Sequence, residues 1–461
     1  MVSRLSHLSR AELEALVLDQ ARVIALLEGR IEALEARPAS ADTGTKKTSR
    51  NSHQPPSRDA TGATGSRGKG RKKRPSRPGV SRCLAAVPDE VIRCRALVCG
   101  HCGADVAGRP QARRQAYDHV EIPPMTPQVT RIELFGGRCG GCGRRFKAPP
   151  PADMKPGTPF GPTIHALLLY LHHGHHVGFE RLARALHELF GLVISEGAIA
   201  NAFRRMVEPL NGLRQSIKAR LRGAAVIASD ETTTRIDGVT HWHWVFCSKD
   251  AILHEIARRR AKAVAEEVLA NHRPEVWIAD RYGGQQDLAR AHQVCLAHVL
   301  RDVQYAIDCG DRAFAPKLRD LLRWTIGIGK RRDNLKDTTL GHYLARADHR
   351  LDNLLAVPAA HKAGRKLQQQ IKAWRSKLFV FITDRRVPAT NNISEREVRP
   401  SVVFRKVTGG FRSDDGADTH AGYRSLASTA RLSGTSAFDA ISEFVVEALR
   451  APAQGRAQPT T

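Results

Sequence analysis

The sequence predicts a multidomain α+β protein, and three observations carry that reading. At residue 224 the apolar pattern changes period from helical to strand-like; two Cys-x-x-Cys pairs lie together upstream of the change; and residues 160–208 and 296–386 on either side read as helices. With 461 residues, 41% of them hydrophobic, the chain can bury at least one full core, and its length favours two to four structural units.

Residues 1–36 make the first unit. Residues 9–35 read as one amphipathic helix, opened by Ser9 and Glu12 at the spacing of a capping box. Val17, Ile24 and Ile31 on one seam, with Leu13, Gln20, Leu27 and Leu34 on the other, follow the alternation of a parallel two-stranded coiled coil. Gly29 weakens that pattern, and a short helix packed on its own domain is the other reading. Residues 37–82 lose the apolar period to Pro, Ser, Gly and Thr, with Lys46, Lys47, Arg67, Lys69, Arg71, Lys72, Lys73, Arg74 and Arg77 among them, and read as a basic disordered linker. Such a segment serves as a solvated spacer, as an arm along DNA phosphates, or as both.

The charge balance agrees with a polyanionic partner. Lys and Arg number 73 against 46 Asp and Glu, a net +27, and nucleic acid is the first polyanion to consider. No stretch approaches the roughly 20 consecutive apolar residues of a spanning helix, and the start does not resemble a secretory signal, so the expectation is a cytoplasmic, nucleoid-associated protein with no membrane partner.

Residues 83–150 contain Cys99-Gly-His-Cys102 and, after a stretch of strand-like alternation, Cys139-Gly-Gly-Cys142. Four of the nine cysteines in such pairs, within a large basic chain, point to metal rather than to disulfides. Four thiolates close a tetrahedral Zn²⁺ site, and the glycines let the chain curl around the sulfurs. Four protein ligands leave no open position, so this expected zinc-binding domain holds one structural ion. Cys83, Cys94, Cys247, Cys295 and Cys309 are expected outside any disulfide.

Residues 151–222 read as a helical, helix-turn-helix-like DNA-binding region. The turn falls at residues 191–195, with Ser195 capping the helix that begins Glu196-Gly197-Ala198, although packing alone also produces such pairs of helices. His172, His173, His175 and His176 crowd one helical stretch and read as a polar or DNA-facing surface rather than as a ligand set.

Residues 223–450 form the core, followed by a disordered tail at 451–461. Residues 224–236 make a strand, Asp237-Gly238 a type I′ hairpin turn, and residues 240–248 the returning strand. A third strand at 252–257, a helix at about 261–271 and a short apolar strand at 276–279 follow, the element order of a ribonuclease-H-like fold of mixed α/β type. Asp230 lies within the first strand and Asp280 at the tip of the fourth; if those strands are neighbours, the two carboxylates meet at one edge. Phosphodiester chemistry uses two divalent cations about 3.5–4 Å apart. Mg²⁺ (or Mn²⁺) takes oxygen ligands and keeps several waters, so two or three carboxylates suffice. The third is expected on a later helix, and Thr390-Asn391-Asn392-Ile393-Ser394-Glu395-Arg396-Glu397-Val398-Arg399-Pro400 supplies it. Thr390 or Asn391 caps that helix, Glu395 faces out one turn in, and Arg399 follows on the same face. Glu397 is the rival acid, about 200° away around the helix. Cys295 and His298 are two potential ligands without a third, and read as packing and hydrogen bonding beside Asp280.

The chain resembles the transposases of the bacterial insertion-sequence sixty-six family, within the acidic-triad (DDE) superfamily, over most of its length. The resemblance rests on His53-Gln54-Pro55-Pro56-Ser57-Arg58-Asp59, on Asp230-Glu231-Thr232 with His241-Trp242-x-Trp244-Val245-Phe246, on Ala279-Asp280-Arg281-Tyr282, and on Cys295-Leu296-Ala297-His298-Val299-Leu300-Arg301-Asp302. It extends through Thr390-Asn391-Asn392-x-x-Glu395-Arg396-x-x-Arg399-Pro400, Arg405-Lys406 and Ser413-x-x-Gly416-Ala417. It implies a catalytic, metal-binding triad of Asp230, Asp280 and Glu395 that cuts an element's terminal inverted repeats and joins the freed 3′ hydroxyl to target DNA. Arg399, Arg405 and Lys406 would then steer DNA phosphates, which positions the duplex without reading its sequence. The helical insertion at about 296–386 would shape the DNA end, with Trp324 and Trp374 either stacked on an unpaired base or packed in the core. A homodimer or higher oligomer in a synaptic complex, with accessory proteins from the same element, completes the expectation. A non-catalytic, zinc-containing DNA-binding descendant is the alternative, and a metal-dependent nuclease or resolvase without strand joining is a third reading.

Overall fold

The computed structural model describes residues 82–151, 154 and 158–450, with residues 47–52, 10, 19–21 and 24. The heptad expected in residues 1–36, most of the segment 37–82 and the tail 451–461 lie outside the described residues. Contact clustering divides the chain into two compact units, one made of residues 1–59, 150–178 and 199–461 and the other of residues 60–149 and 179–198. The region 151–222, expected as one domain, is thus shared between them.

The smaller unit holds both cysteine pairs. Strands β1 (Gly136–Arg138) and β2 (Arg145–Lys147) pair antiparallel around the second pair, and a bridge between Val98 and Asp105 frames the first. Residues 110–135, where alternation suggested strand, carry none. This unit also contains α2 (Phe179–Phe190), numbered after α1 (Pro162–Leu169) of the larger unit. A turn at residues 191–195 leads into α3 (Glu196–Leu221), whose backbone begins where Ser195 Oγ accepts from the Ala198 amide at 3.2 Å. The cap expected of Ser195 is therefore present, and the helix runs well past residue 208.

The larger unit is built on a sheet of five strands among the described residues: β3 (Val226–Ile236), β4 (Val239–Cys247), β5 (Ile252–Ala257), β6 (Val276–Ala279) and β7 (Ala291–Val294), in the order β5-β4-β3-β6-β7. Asp237 (φ 46°) and Gly238 (φ 73°) both take the left-handed conformation that the β3–β4 turn demands. Helix α4 (Lys262–Leu269) carries the chain across to β6, which lies parallel to β3.

The two faces of the sheet are read directly from strand alternation. Ala228, Val245, Cys247, Ile252, Ile278 and Val294 enter one core, whereas Ile227, Trp244, Phe246, Leu253 and Trp277 enter the other with Ile217 and Leu221 of α3 and Val268 of α4. The first core extends without a break into α5 (Leu296–Asp308), α6 (Ala315–Gly329), α7 (Asp337–Leu355), α8 (Lys362–Ala373), the short α9 (Val380–Thr383) and α10 (Asn392–Thr408). The segment expected as an inserted helical domain therefore shares its core with the sheet. Trp324 and Trp374 are partly buried against it.

The last two helices are α11 (Asp414–Leu432) and α12 (Ala437–Arg450). β5 is an edge strand, and α11 covers that edge with hydroxyls: His254 N donates to Ser425 Oγ at 2.8 Å and Ile252 N to Thr429 Oγ1 at 3.0 Å. Pairing backbone donors with side chains closes an edge that would otherwise template another strand. Within the segment read as linker, residues 48–52 are folded: Asn51 is buried, and its Nδ2 donates to Asp308 at 2.9 Å.

Candidate active site

β3 and β6 run parallel with Ala228 opposite Ile278, so carrying the register two residues forward sets Asp230 opposite Asp280. Alternation gives Asp230 the face of Ala228 and Asp280 the face of Ile278, the face covered by α5 and α10. The third acid comes 115 residues after Asp280, on the first turn of α10. Three backbone-level contacts fix that turn: Leu296 N donates to Ala389 O at 3.0 Å, Asn391 N to Cys295 Sγ at 3.1 Å, and Asn391 Nδ2 to Ser229 O at 2.8 Å. Asn391, expected with Thr390 as a candidate cap, stands at the N-cap position but makes no side-chain cap hydrogen bond; it ties the helix start to the residue before Asp230.

The electrostatics bind the three acids together. Burial pushes the Asp230 carboxyl up to about 8, and the charges of Glu231, Asp280 and Glu395 add to that, against one amide hydrogen bond from Glu231 at 2.9 Å. Two carboxylates from distant parts of the chain, Asp280 and Glu395, join the adjacent Glu231 in acting on one buried carboxyl, a donor set short of positive charge. An oxygen-only set of this kind suits a hard divalent cation such as Mg²⁺ or Mn²⁺.

Glu231, the next residue along β3, points to the opposite face and was not singled out in the sequence. Its side chain is 1% exposed and pairs with Arg260 at 2.5 Å, with Gln285 donating to its other oxygen. Burial and the Asp280 charge raise its pKa while Arg260 lowers it. Arg260 in turn lies 3.8 Å from the Tyr282 ring centre and 4.9 Å from that of Trp242. The signal was available in part: Trp242 and Tyr282 stood in the quoted motifs, but only the folded sheet places Arg260 between them.

Cys295 and His298 do find a third group. Glu395 Oε1 lies 3.8 Å from Cys295 Sγ and 3.6 Å from His298 Nδ1. Burial pushes the Cys295 thiol up, while the amides of Asn391, His298 and Ala297 directed at the sulfur pull the other way. Beside Asp280, Arg281 pairs with Asp302 and lies 5.0 Å from the Trp374 ring centre.

The rival acid, Glu397, is held elsewhere. It accepts from Arg424 at 3.0 Å and from Ser428, with His254 at 3.8 Å. Burial alone would raise its pKa, but His254, Ser428 and Arg424 bring it down to about 2. Of the basic residues expected at DNA, Arg399 and Lys406 are exposed. Arg405 instead donates to the carbonyl and hydroxyl of Thr233 on β3, the latter at 2.6 Å, because its place late in α10 lies against that strand.

The histidine stretch requires a correction. His172 and His173 are buried, in a π-helical turn (Tyr170–Gly174), against Phe203, Phe404 and His420; only His175 is exposed. Burial keeps His173 and His420 well below the ordinary histidine range, so they behave as neutral, aromatic core residues. Polarity suggested a surface, but neutral imidazole packs well with rings once its hydrogen bonds are met, as His172 Nδ1 does with Val177 O at 2.7 Å.

In the smaller unit the two cysteine pairs adopt the same turn. Cys99 N donates to Ala104 O and Cys139 N to Arg144 O, each at 2.8 Å; Gly103 and Gly143 each donate back to the first cysteine's carbonyl at 2.8 Å, with φ of 75° and 67°. Hydrogen bonds from the His101 and Cys102 amides lower the pKa of Cys99, and those from Cys142 and Gly141 do the same for Cys139. Each turn thus favours a thiolate, as a metal site requires. The four sulfurs do not form a group of three or more within 4.8 Å; among the described residues the one such group of potential ligands is Cys295, His298 and Glu395.

Among the described residues no helix is long and apolar enough to cross a membrane. No curated protein matches the chain. A model of the family described as Transposase IS66 family matches residues 157–419, more than half of the chain and the whole stretch from Asp230 to Glu395. The chain belongs to the IS66 transposase family.

Proposed function

We propose that this transposase is a DDE enzyme whose Asp230, Asp280 and Glu395 hold two Mg²⁺ or Mn²⁺ ions and cut and join DNA at the terminal inverted repeats of an insertion sequence. The observation that carries the reading is the β3–β6 register that sets Asp230 opposite Asp280, with the start of α10 tied to Ser229; Asp230 is pushed up to about 8 by burial first and then by the charges of Glu231, Asp280 and Glu395. The strand order β5-β4-β3-β6-β7, with three antiparallel strands followed by two parallel ones, supports a ribonuclease-H-like core.

Two such ions supply positive charge to the attacking and leaving oxygens of a phosphodiester. Asp230, whose carboxyl both of the other acids act on, would serve both ions, with Asp280 and Glu395 serving one each. Asn391 and Arg405 hold α10 against β3 and so fix Glu395 relative to Asp230. Arg399 and Lys406, exposed on the same helix, would meet DNA phosphates. The cysteine turns of the smaller unit would share one structural Zn²⁺, and that unit, which includes α2, would dock DNA. Two protomers would hold two DNA ends, with accessory proteins of the element.

The test is strand cleavage and transfer on a labelled duplex carrying the terminal repeat, with Mg²⁺ or Mn²⁺, for wild type, Asp230→Ala, Asp280→Ala and Glu395→Ala. Each substitution is expected to remove at least ~10³-fold of activity while DNA binding persists. Binding without metal-dependent cleavage, with accessory proteins present, would leave a DNA-binding protein that is not an enzyme. Cleavage without joining would mark a nuclease.

A further inference from the structure

Cys295 stands immediately before α5, His298 one turn into it, and Glu395 comes from α10, so the three converge from two helices whose starts are pinned together. With metal bonds of about 2.3 Å to sulfur and 2.0 Å to nitrogen or oxygen, a tetrahedral ion sets sulfur and oxygen about 3.5 Å apart and nitrogen and oxygen about 3.3 Å apart. The observed separations from Glu395 Oε1 are 3.8 Å to Cys295 Sγ and 3.6 Å to His298 Nδ1, and all three ligand atoms lie within 4.8 Å of one another. The Asn391 amide donates to the sulfur at 3.1 Å, a thiolate-favouring contact like those in the cysteine turns, here set against the burial that pushes the thiol up.

From this geometry we propose that Cys295, His298 and Glu395 form a second metal site, selective for a thiophilic divalent ion such as Zn²⁺, which takes Glu395 away from the hard-metal triad and so inhibits the enzyme. The proposal rests on Glu395 being the third acid of the triad. Sulfur and imidazole prefer Zn²⁺ or Co²⁺ to Mg²⁺, whereas Asp230 and Asp280 offer oxygen alone. An ion held through Oε1 of Glu395 sets a second positive charge beside the ion of Asp230 and Asp280, so the two occupancies oppose each other. Three protein ligands leave one position open to water.

Co²⁺ reports sulfur ligation through a thiolate charge-transfer band, so the full chain is titrated with Co²⁺ as wild type, Cys295→Ser, His298→Gln and Glu395→Gln. Cys99, Cys102, Cys139 and Cys142 contribute equally to all four proteins, and difference spectra isolate Cys295. The expected result is a band present in wild type and lost in Cys295→Ser, with Co²⁺ affinity reduced at least ~10-fold in His298→Gln and Glu395→Gln. Excess Mg²⁺ should weaken Co²⁺ binding at this band in wild type. A wild-type spectrum identical to that of Cys295→Ser overturns the site; if Cys295→Ser does not fold, unchanged Co²⁺ affinity in a folded His298→Gln overturns it equally. Mg²⁺ with no effect on the band overturns the sharing of Glu395. Should Glu395→Gln lose the Co²⁺ affinity yet keep Mg²⁺-dependent cleavage, the triad reading fails while the thiophilic site stands.

Discussion

Asp230 is placed where its charge costs most. Burial comes first and the neighbouring Glu231, Asp280 and Glu395 follow, lifting its pKa from the ordinary 3.8 to about 8. Between those two values the native protein keeps a proton that the unfolded chain has released. The contribution of Asp230 to metal-free stability is therefore full below about pH 4, falls as pH rises toward 8, and is lost above it. Asp230→Asn removes this dependence. At pH 8 without metal the variant should be more stable than wild type by ~1–2 kcal/mol, a gap that closes near pH 4. Mg²⁺ should raise the melting temperature of wild type more than that of the variant. Thermal melts at pH 4, 6 and 8 check this, and a gap that did not change with pH would remove the electrostatic argument for the site.

Helix α10 carries two acids with opposite duties. Glu395 faces Cys295 and His298, whereas Glu397, two residues on, is clamped by Arg424 and Ser428 of α11 and by His254 of β5. Glu397→Gln leaves the Arg424 guanidinium, 2% exposed, without its anionic partner. Losing one partner of a buried pair costs about 3 kcal/mol, so this variant should melt well below wild type, while Glu395→Gln should melt close to it. Chemical denaturation of the two variants decides between the duties; equal stability would overturn the division. Element by element, most of the core was readable in advance: alternation, the Asp237-Gly238 turn and the short apolar run before Asp280 fix four strands, with Asp230 within the first and Asp280 at the tip of the fourth, while β7 was not read. What could not be read was set by distant partners. A local rule assigns the Asn391 side chain to its own helix, yet it reaches Ser229, 162 residues away in sequence. His172 and His173 look like surface residues until Phe203, Phe404 and His420 enclose them. The helices at 296–386 have the same apolar period whether they pack alone or on the sheet, and only the fold shows that they share its core.

At the scale of the whole molecule, the net charge of +27 favours any polyanion, so affinity for DNA by itself does not locate the contacts. Salt dependence does, because each phosphate neutralised by a fixed cation releases about 0.9 counterion into solution on duplex DNA. Arg67, Lys69, Arg71, Lys72, Lys73, Arg74 and Arg77 fall within eleven residues of sequence, dense enough to track one strand of phosphates. If all seven contact the duplex, replacing them with Gln should flatten the slope of log affinity against log salt by about 6. Replacing Arg399 and Lys406 alone should flatten it by about 2, and Asp230→Ala should leave it within error. Binding isotherms on the terminal repeat and on an unrelated duplex, from 50 to 300 mM salt, separate these contributions. The arm should change both duplexes alike, since phosphate contacts carry no sequence information. A slope unchanged by the seven substitutions would assign that segment to spacing the units, and would move the electrostatic footprint onto the folded units themselves.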